Sequence, residues 1–207
     1  MKKIFYIKTR KTGGTSLVRS IKRCPDITSI NITKYNYKND YTDKDIVICP
    51  CYFYKMFHDE LSTRYKDYEK ITIVRNPISK TISAWKYCQS TRGKSLIECL
   101  NDPPSNCISP STWYSDWMVN HDWVHFTRSQ TDGLIYKGKK QYDKLFKLEE
   151  YNKIIQYLNK RFDINLKIFH INRNCNSKTE ITQEEKDKIY QMYEDDFINF
   201  GYSLQYK

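Results

Sequence analysis

The apolar residues of this chain gather in short unbroken runs set between polar, helix-patterned stretches. Lys3 to Ile7 is the first run, carrying Ile4, Phe5, Tyr6 and Ile7. Ile46-Val47-Ile48-Cys49 is the second and stops at Pro50; Lys70 to Val74 is the third and runs into Arg75-Asn76-Pro77. Unbroken runs, as opposed to alternating ones, predict strands covered on both faces of a parallel sheet. Further strands are expected over Asp26–Thr33, where Ile27, Ile30 and Ile32 recur, and over Tyr142–Leu148.

Between these runs the apolar spacing turns helical. Leu17, Val18, Ile21 and Cys24 share one face of a helix that begins near Gly14 or Thr15 and is stopped by Pro25. Tyr52–Tyr65 reads as one helix with Phe53, Met56, Phe57 and Leu61 inward. After the third strand, Asn76 suits an N-cap and Pro77 the first helical position, with Ile78, Ile82 and Trp85 on one face. Glu149–Phe162 is amphipathic, with Tyr151, Ile154, Ile155, Leu158 and Phe162 inward. Thr182 with Glu185 forms a capping box for a last helix that ends at Gly201. Strands alternating with helices predict an α/β domain, residues 1–207, with a central parallel sheet of four or five strands flanked by helices. Residues 89–123, rich in Ser, Asn, Cys and Pro, are expected to form a long loop or lid with one short helix around Leu96–Leu100.

Composition narrows the classes. The 207 residues carry a net charge of +11, 15% aromatic residues and 18 Tyr, which argues for a packed domain with an anionic partner. Most of the lysines are expected to be solvated surface. The seven cysteines are odd in number in a chain that is not short, so no disulfide framework is implied. Cys49-Pro50-Cys51 lacks zinc-ligand spacing, so no metal site is expected. No run approaches the ~18 apolar residues of a membrane span, and the N-terminal run is too short for a signal sequence. The expectation is a cytoplasmic protein without a membrane span or a nucleic-acid partner.

The candidate chemistry begins where the first strand ends. Lys8-Thr9-Arg10-Lys11-Thr12-Gly13-Gly14-Thr15-Ser16 joins that strand to a helix. Backbone amides converge at such a turn, the helix N-terminus favours negative charge, and the glycines let an anion approach closely. A nucleoside-triphosphate loop needs Lys directly after its last glycine; here Lys11 precedes Gly13 and Thr15 follows Gly14, so that pattern fails. A dinucleotide fingerprint is also absent. Lys11 thus stands on the strand side of the anion. A second anion site is suggested by Arg75 at the end of the third run and Ser83 on the helix that follows. Taken singly, Gly13-Gly14 also suits an ordinary strand–helix turn, Arg75 a salt bridge and Ser83 a tight helix–sheet contact. Their joint spacing favours phosphate.

These two segments, Lys11-Thr-Gly-Gly-Thr-Ser16 and Val74-Arg75-Asn-Pro77 continuing through Ser83 to Trp85, resemble the sulfotransferases that use 3′-phosphoadenosine 5′-phosphosulfate (PAPS), most of all the carbohydrate, Golgi-type ones. His125 to Asp132, Leu145 to Glu149, Phe169 to Asn174 and Tyr193 to Tyr202 resemble later segments of the same family, in order and over nearly the whole chain. The resemblance implies a P-loop-like, three-layer fold and transfer of a sulfuryl group from PAPS to a hydroxyl, on a carbohydrate acceptor, without a metal. It implies that Thr12, Gly13, Gly14, Thr15 and Ser16 hold the 5′-phosphosulfate. Lys11 would bind the same group and stabilise the bridging oxygen. Arg75 and Ser83 would bind the 3′-phosphate. Two departures stand out. Lys80 occupies a place where the family commonly has Arg. Cys49-Pro50-Cys51 follows the second strand run where related enzymes often carry His or Glu, which leaves the acceptor base open among His58, His125 and His121, with Glu60, Asp116 and Asp122 as carboxylate candidates. Trp113, Trp117 and Trp123 suit acceptor platforms or packing alike. The competing readings are a P-loop kinase-like phosphotransferase and a non-catalytic basic module that binds an acidic polymer.

Overall fold

The computed structural model describes residues 3–33, 35–88, 91–102, 123–168 and 179–203. Contacts divide the chain into two compact units. The first comprises Met1–Val74 and Asp132–Asn174, the second Arg75–Thr131 and Cys175–Lys207.

The first unit holds a five-stranded parallel sheet. Its strands are β1 (Ile4–Lys8), β2 (Ser29–Asn31), β3 (Ile46–Pro50), β4 (Glu69–Val74) and β7 (Lys144–Lys147), in the order β2-β3-β1-β4-β7. In β1 the pleat sends Ile4 and Tyr6 to one face and Phe5 and Ile7 to the other. On the first face they pack under Leu17, Val18 and Ile21 of helix α1 (Gly14–Lys22) and Ile154, Ile155 and Leu158 of helix α8 (Tyr151–Phe162). On the second, the Phe5 ring meets Tyr54 and Tyr65, with centroids 5.2 and 5.0 Å apart. These come from the segment that holds helices α2 (Cys51–Met56) and α3 (His58–Arg64). The result is the three-layer arrangement that the unbroken apolar runs require, since each strand must be covered twice.

Several boundaries differ from expectation. The Tyr52–Tyr65 helix is two helices, broken at Phe57 (φ −109°, ψ 33°). Phe57 turns there onto Tyr37 and Phe53, with centroids 4.3 and 4.7 Å away, and the changed phase leaves Met56 half exposed. Only Ser29–Asn31 of the Asp26–Thr33 segment pairs as a strand. The last strand is confined to Lys144–Lys147, because Leu148–Glu150 forms a 3-10 turn before α8. A two-residue hairpin, β5 (Ile135–Tyr136) with β6 (Lys139–Lys140), was not anticipated. It turns on Lys137 and Gly138, both at positive φ.

The second unit is helical. It contains α4 (Pro77–Trp85), α5 (Leu96–Asn101), α6 (Trp123–Thr127) and α9 (Gln183–Phe200), while α7 (Gln130–Leu134) runs across the unit boundary. Ile78, Ile82, Leu100, Trp123, Ile189 and Phe197 share its core. The two N-caps expected from sequence are present: Asn76 accepts from the amides of Ile78 (3.0 Å) and Ser79 (3.3 Å), and Thr182 caps α9 with Glu185; a third capping box, Ser95 with Glu98, starts α5. Of residues 89–123, only 91–102 and Trp123 are described, so Trp113 and Trp117 lie outside the described residues; Trp123 is buried.

Cys24, Cys49, Cys51, Cys88 and Cys99 are free thiols. Among the described residues no helix is long and apolar enough to cross a membrane, and no three His, Cys, Asp or Glu side chains gather as a metal-binding group.

Candidate active site

The loop after β1 is built from inside outwards. The Thr9 hydroxyl donates to the Ile73 carbonyl of β4 and lies 2.9 Å from the Thr12 hydroxyl, which itself donates to the Thr9 carbonyl at 3.2 Å. Both threonines are buried. The chain then turns through two left-handed residues, Lys11 (φ 57°) and Gly13 (φ 73°). For Lys11 that conformation costs roughly 1–3 kcal/mol, a strain that the surrounding contacts must hold in place. Gly13 has a second reason to be glycine: a Cβ there would fall 2.6 Å from Leu148 Cδ1. At Gly14 a Cβ would fall 2.9 Å from the Tyr6 hydroxyl and 3.0 Å from Lys8 Cε. The helix that starts at Gly14 has no capping side chain and no acidic residue in its first turn. The Ser16 amide donates to the Gly13 carbonyl at 3.0 Å, and the amides of Gly14 and Thr15 stand ahead of it, at the end where the helix dipole favours an anion. This turn lies at the carboxyl end of β1. There the sheet order places β3 on one side and β4 on the other, the switch point at which open parallel sheets bind ligands.

The structure thus gathers Lys11, Gly13, Gly14, Thr15 and Ser16 around one helix start. Thr15 is exposed and Ser16 half-buried. Thr12 differs: its hydroxyl is turned into the loop, because it supplies the internal bond that shapes the turn, so only its backbone faces outward chemistry.

Lys8 was not anticipated as part of this site. The pleat puts it on the same side of β1 as Ile4 and Tyr6, alongside Gly14, and β1 pairs it with Pro50. Burial, followed by the charges of Arg10 and Lys22, pushes its pKa down to about 8. Among the described residues Lys8 makes no ion pair. The signal was present in the period-2 pattern, which carries the strand's inward face one residue past its last apolar side chain. Beside it, burial raises the pKa of the Tyr6 phenol.

The second unit begins at Arg75, the residue after β4, which is half-buried. Asn76 and Pro77 turn the chain directly into α4, and Ser83 lies half-buried on that helix. Lys80 is placed differently from an anion-binding residue. It is 2% exposed, its ammonium donates to the Arg128 carbonyl and lies 5.3 Å from the centre of the Tyr193 ring. An ammonium reaches that carbonyl as a compact point charge; a planar guanidinium fork would need several acceptors in a fixed geometry.

The acceptor-base candidates fare unequally. The His58 ring lies between Tyr54 and Tyr136, with Nδ1 3.0 Å from Asp59 and Nε2 against the Gln141 side-chain oxygen, so both nitrogens are engaged. Glu60 is paired with Arg64 at 2.6 Å. Cys49 and Cys51 are buried, and burial pushes the Cys49 thiol well above its usual range, so it is no base. His125 falls on α6, but its side chain lies outside the described residues, as do His121, Asp116 and Asp122 altogether. The segment Phe169–Asn174 lies outside them too.

The model of the sulfotransferase family matches residues 1–203, across both units. The chain belongs to the sulfotransferase family. A crystal structure of a sulfotransferase from Alicyclobacillus acidocaldarius shares the fold, with a TM-score of 0.50 and 13% identity over 95% of this chain and 93% of that one. Mouse sulfotransferase SULT7A1, solved in complex with PAP, aligns at 13% identity with a TM-score of 0.40, over 95% of this chain and 66% of that one. No curated protein matches the sequence significantly. As a sulfotransferase the chain is an enzyme that transfers a sulfuryl group.

Proposed function

We propose that this sulfotransferase takes PAPS as its donor and passes the sulfuryl group to a carbohydrate hydroxyl, its two units working as one catalytic domain. The observation that carries the reading is the β1–α1 turn, an uncapped helix start where a Cβ at Gly13 or Gly14 would fall within 3 Å of a neighbouring side chain and where Lys11 is held in a left-handed conformation. The amides of this turn, with Thr15 and Ser16, take the 5′-phosphosulfate, and Arg75 with Ser83 takes the 3′-phosphate. In the transfer, the acceptor oxygen attacks sulfur, the bond from sulfur to the bridging oxygen breaks, and the acceptor proton leaves to a base. Charge grows on the bridging oxygen, and the Lys11 ammonium answers it electrostatically. His58 serves as that base only if Gln141 releases Nε2; His125 is the other candidate. The carbohydrate acceptor rests on the family resemblance. A hollow of about 320 Å³ that includes Trp85, Tyr87, Arg92 and Lys94 in its lining adds an aromatic, basic surface suited to an acidic sugar.

The test is calorimetric titration with PAP, the desulfated product, and in parallel with ATP and Mg²⁺. Micromolar PAP binding that falls about 10- to 100-fold in Arg75→Ala supports the reading, since that is the worth of a charge-assisted phosphate contact. Lys11→Ala should retain PAP and lose about 100- to 1,000-fold in transfer rate. Preference for ATP over PAP would overturn the donor assignment.

A further inference from the structure

Arg75 is the first residue after β4, and its own peptide groups need partners once the sheet ladder ends. Gln130 supplies both. Its Oε1 accepts from the Arg75 amide at 2.8 Å and its Nε2 donates to the Arg75 carbonyl at 2.8 Å. A side-chain amide here imitates a neighbouring strand for one residue. Gln130 is 2% exposed and is itself fixed by Asp196 of α9, a fully buried carboxylate. Asp196 accepts from the Gln130 amide (2.8 Å), the Thr131 amide (2.7 Å), the Ser129 hydroxyl (2.7 Å) and Gln130 Nε2 (3.3 Å). It therefore caps α7 from another element, and a buried carboxylate with four donors is tolerated without a cation. Lys80 holds the preceding turn by its bond to the Arg128 carbonyl. All of these residues belong to the second unit.

We infer that Gln130 is a positioning residue for Arg75, held in place by Asp196, so that the last helix sets where the 3′-phosphate arginine stands. Gln130 Oε1 is spent on the Arg75 amide and Nε2 is shared between the Arg75 carbonyl and Asp196, so the contact fixes the backbone from which the Arg75 side chain extends. The inference rests on the reading of Arg75 as the 3′-phosphate residue. Gln130 touches no reacting atom in this account; its effect passes through the arginine.

The experiment compares PAP with adenosine 5′-monophosphate, which lacks the 3′-phosphate, by calorimetry on the wild type, Gln130→Met, Arg75→Ala and the double variant. Gln130→Met keeps the length of the side chain and removes both bonds to the Arg75 backbone, together with the 3.3 Å bond from Nε2 to Asp196. The expected result is PAP affinity lowered about tenfold in Gln130→Met, 5′-monophosphate affinity unchanged, and no further loss when Gln130→Met is added to Arg75→Ala. Equal weakening of both nucleotides, no change in either, or full additivity in the double variant would overturn the inference. If Arg75→Ala itself leaves the ratio of the two affinities unchanged, the underlying 3′-phosphate reading fails instead, and the two failures are told apart. Should Gln130→Met not fold, Asp196→Asn is measured in its place; it removes one acceptor from the α7 cap, and the same selective loss of PAP affinity, smaller in size, is expected. Loss of both affinities together would again overturn the inference.

Discussion

At the scale of single residues, Lys8 shows how a strand position becomes a charged group in a poor place. Its stem packs beside Gly14, and partial burial, followed by the charges of Arg10 and Lys22, makes the folded protein hold the proton less tightly than the unfolded chain does. Between pH 8 and the ordinary lysine value of 10.5 the unfolded state then binds more protons, and stability rises with pH in that window. Below pH 8 both states are protonated and the penalty is present in full, up to about 3 kcal/mol. Lys8→Met should therefore raise the midpoint of urea unfolding at pH 7, and its advantage over the wild type should shrink as pH climbs through that window. An advantage that stays constant from pH 7 to pH 11 would show that Lys8 is not desolvated.

At the scale of elements, α4 is the one whose start is set most locally. Its start is written within a few residues: Asn76 takes two free amides and Pro77 has none to offer. Asn76→Ala should cost about 1 kcal/mol of stability, read as a lower denaturation midpoint with an unchanged slope. Elements shaped by distant partners were less legible. The break between α2 and α3 follows from Phe57 stacking on Tyr37, a residue of an irregular segment whose position no periodicity predicts. The kink in α9 at Tyr193 (φ −132°, ψ 27°) comes one turn before Asp196 and lies inside a stretch that reads as one helix. α7 is short and polar, and its cap comes from a residue 66 positions away. That is why the Gln130-containing segment could be matched to a family but not assigned a task.

At the scale of the whole molecule, the net charge of +11 acts independently of any one site. Retention on an immobilised acidic polysaccharide is expected, with release between about 0.1 and 1 M salt as the Debye length falls from about 10 to about 3 Å. Lys11→Ala and Arg75→Ala should elute close to the wild type, each removing one charge. A large shift in either would mean that the polymer is held at the donor residues themselves. The family model, in contrast to the charge, runs through both units, from residue 1 to 203.

The residue order by itself determined the features that arise from neighbours in the chain. These are the unbroken strands that demand cover on both faces, the glycine turn between β1 and α1, the Asn76 and Thr182 caps, and the pairing of Lys11 ahead of the glycines with Arg75 after the next strand run. Backbone sterics and unsatisfied helix amides act over a few residues, so they are visible without the fold. Only the tertiary structure decided which of those residues face outward. It turned the Thr12 hydroxyl into the loop, put Lys80 on a carbonyl, engaged both nitrogens of His58, brought Lys8 beside Gly14, and placed Asp196 behind Gln130. Burial and hydrogen bonding between segments far apart in sequence set those outcomes, and neither is encoded in spacing.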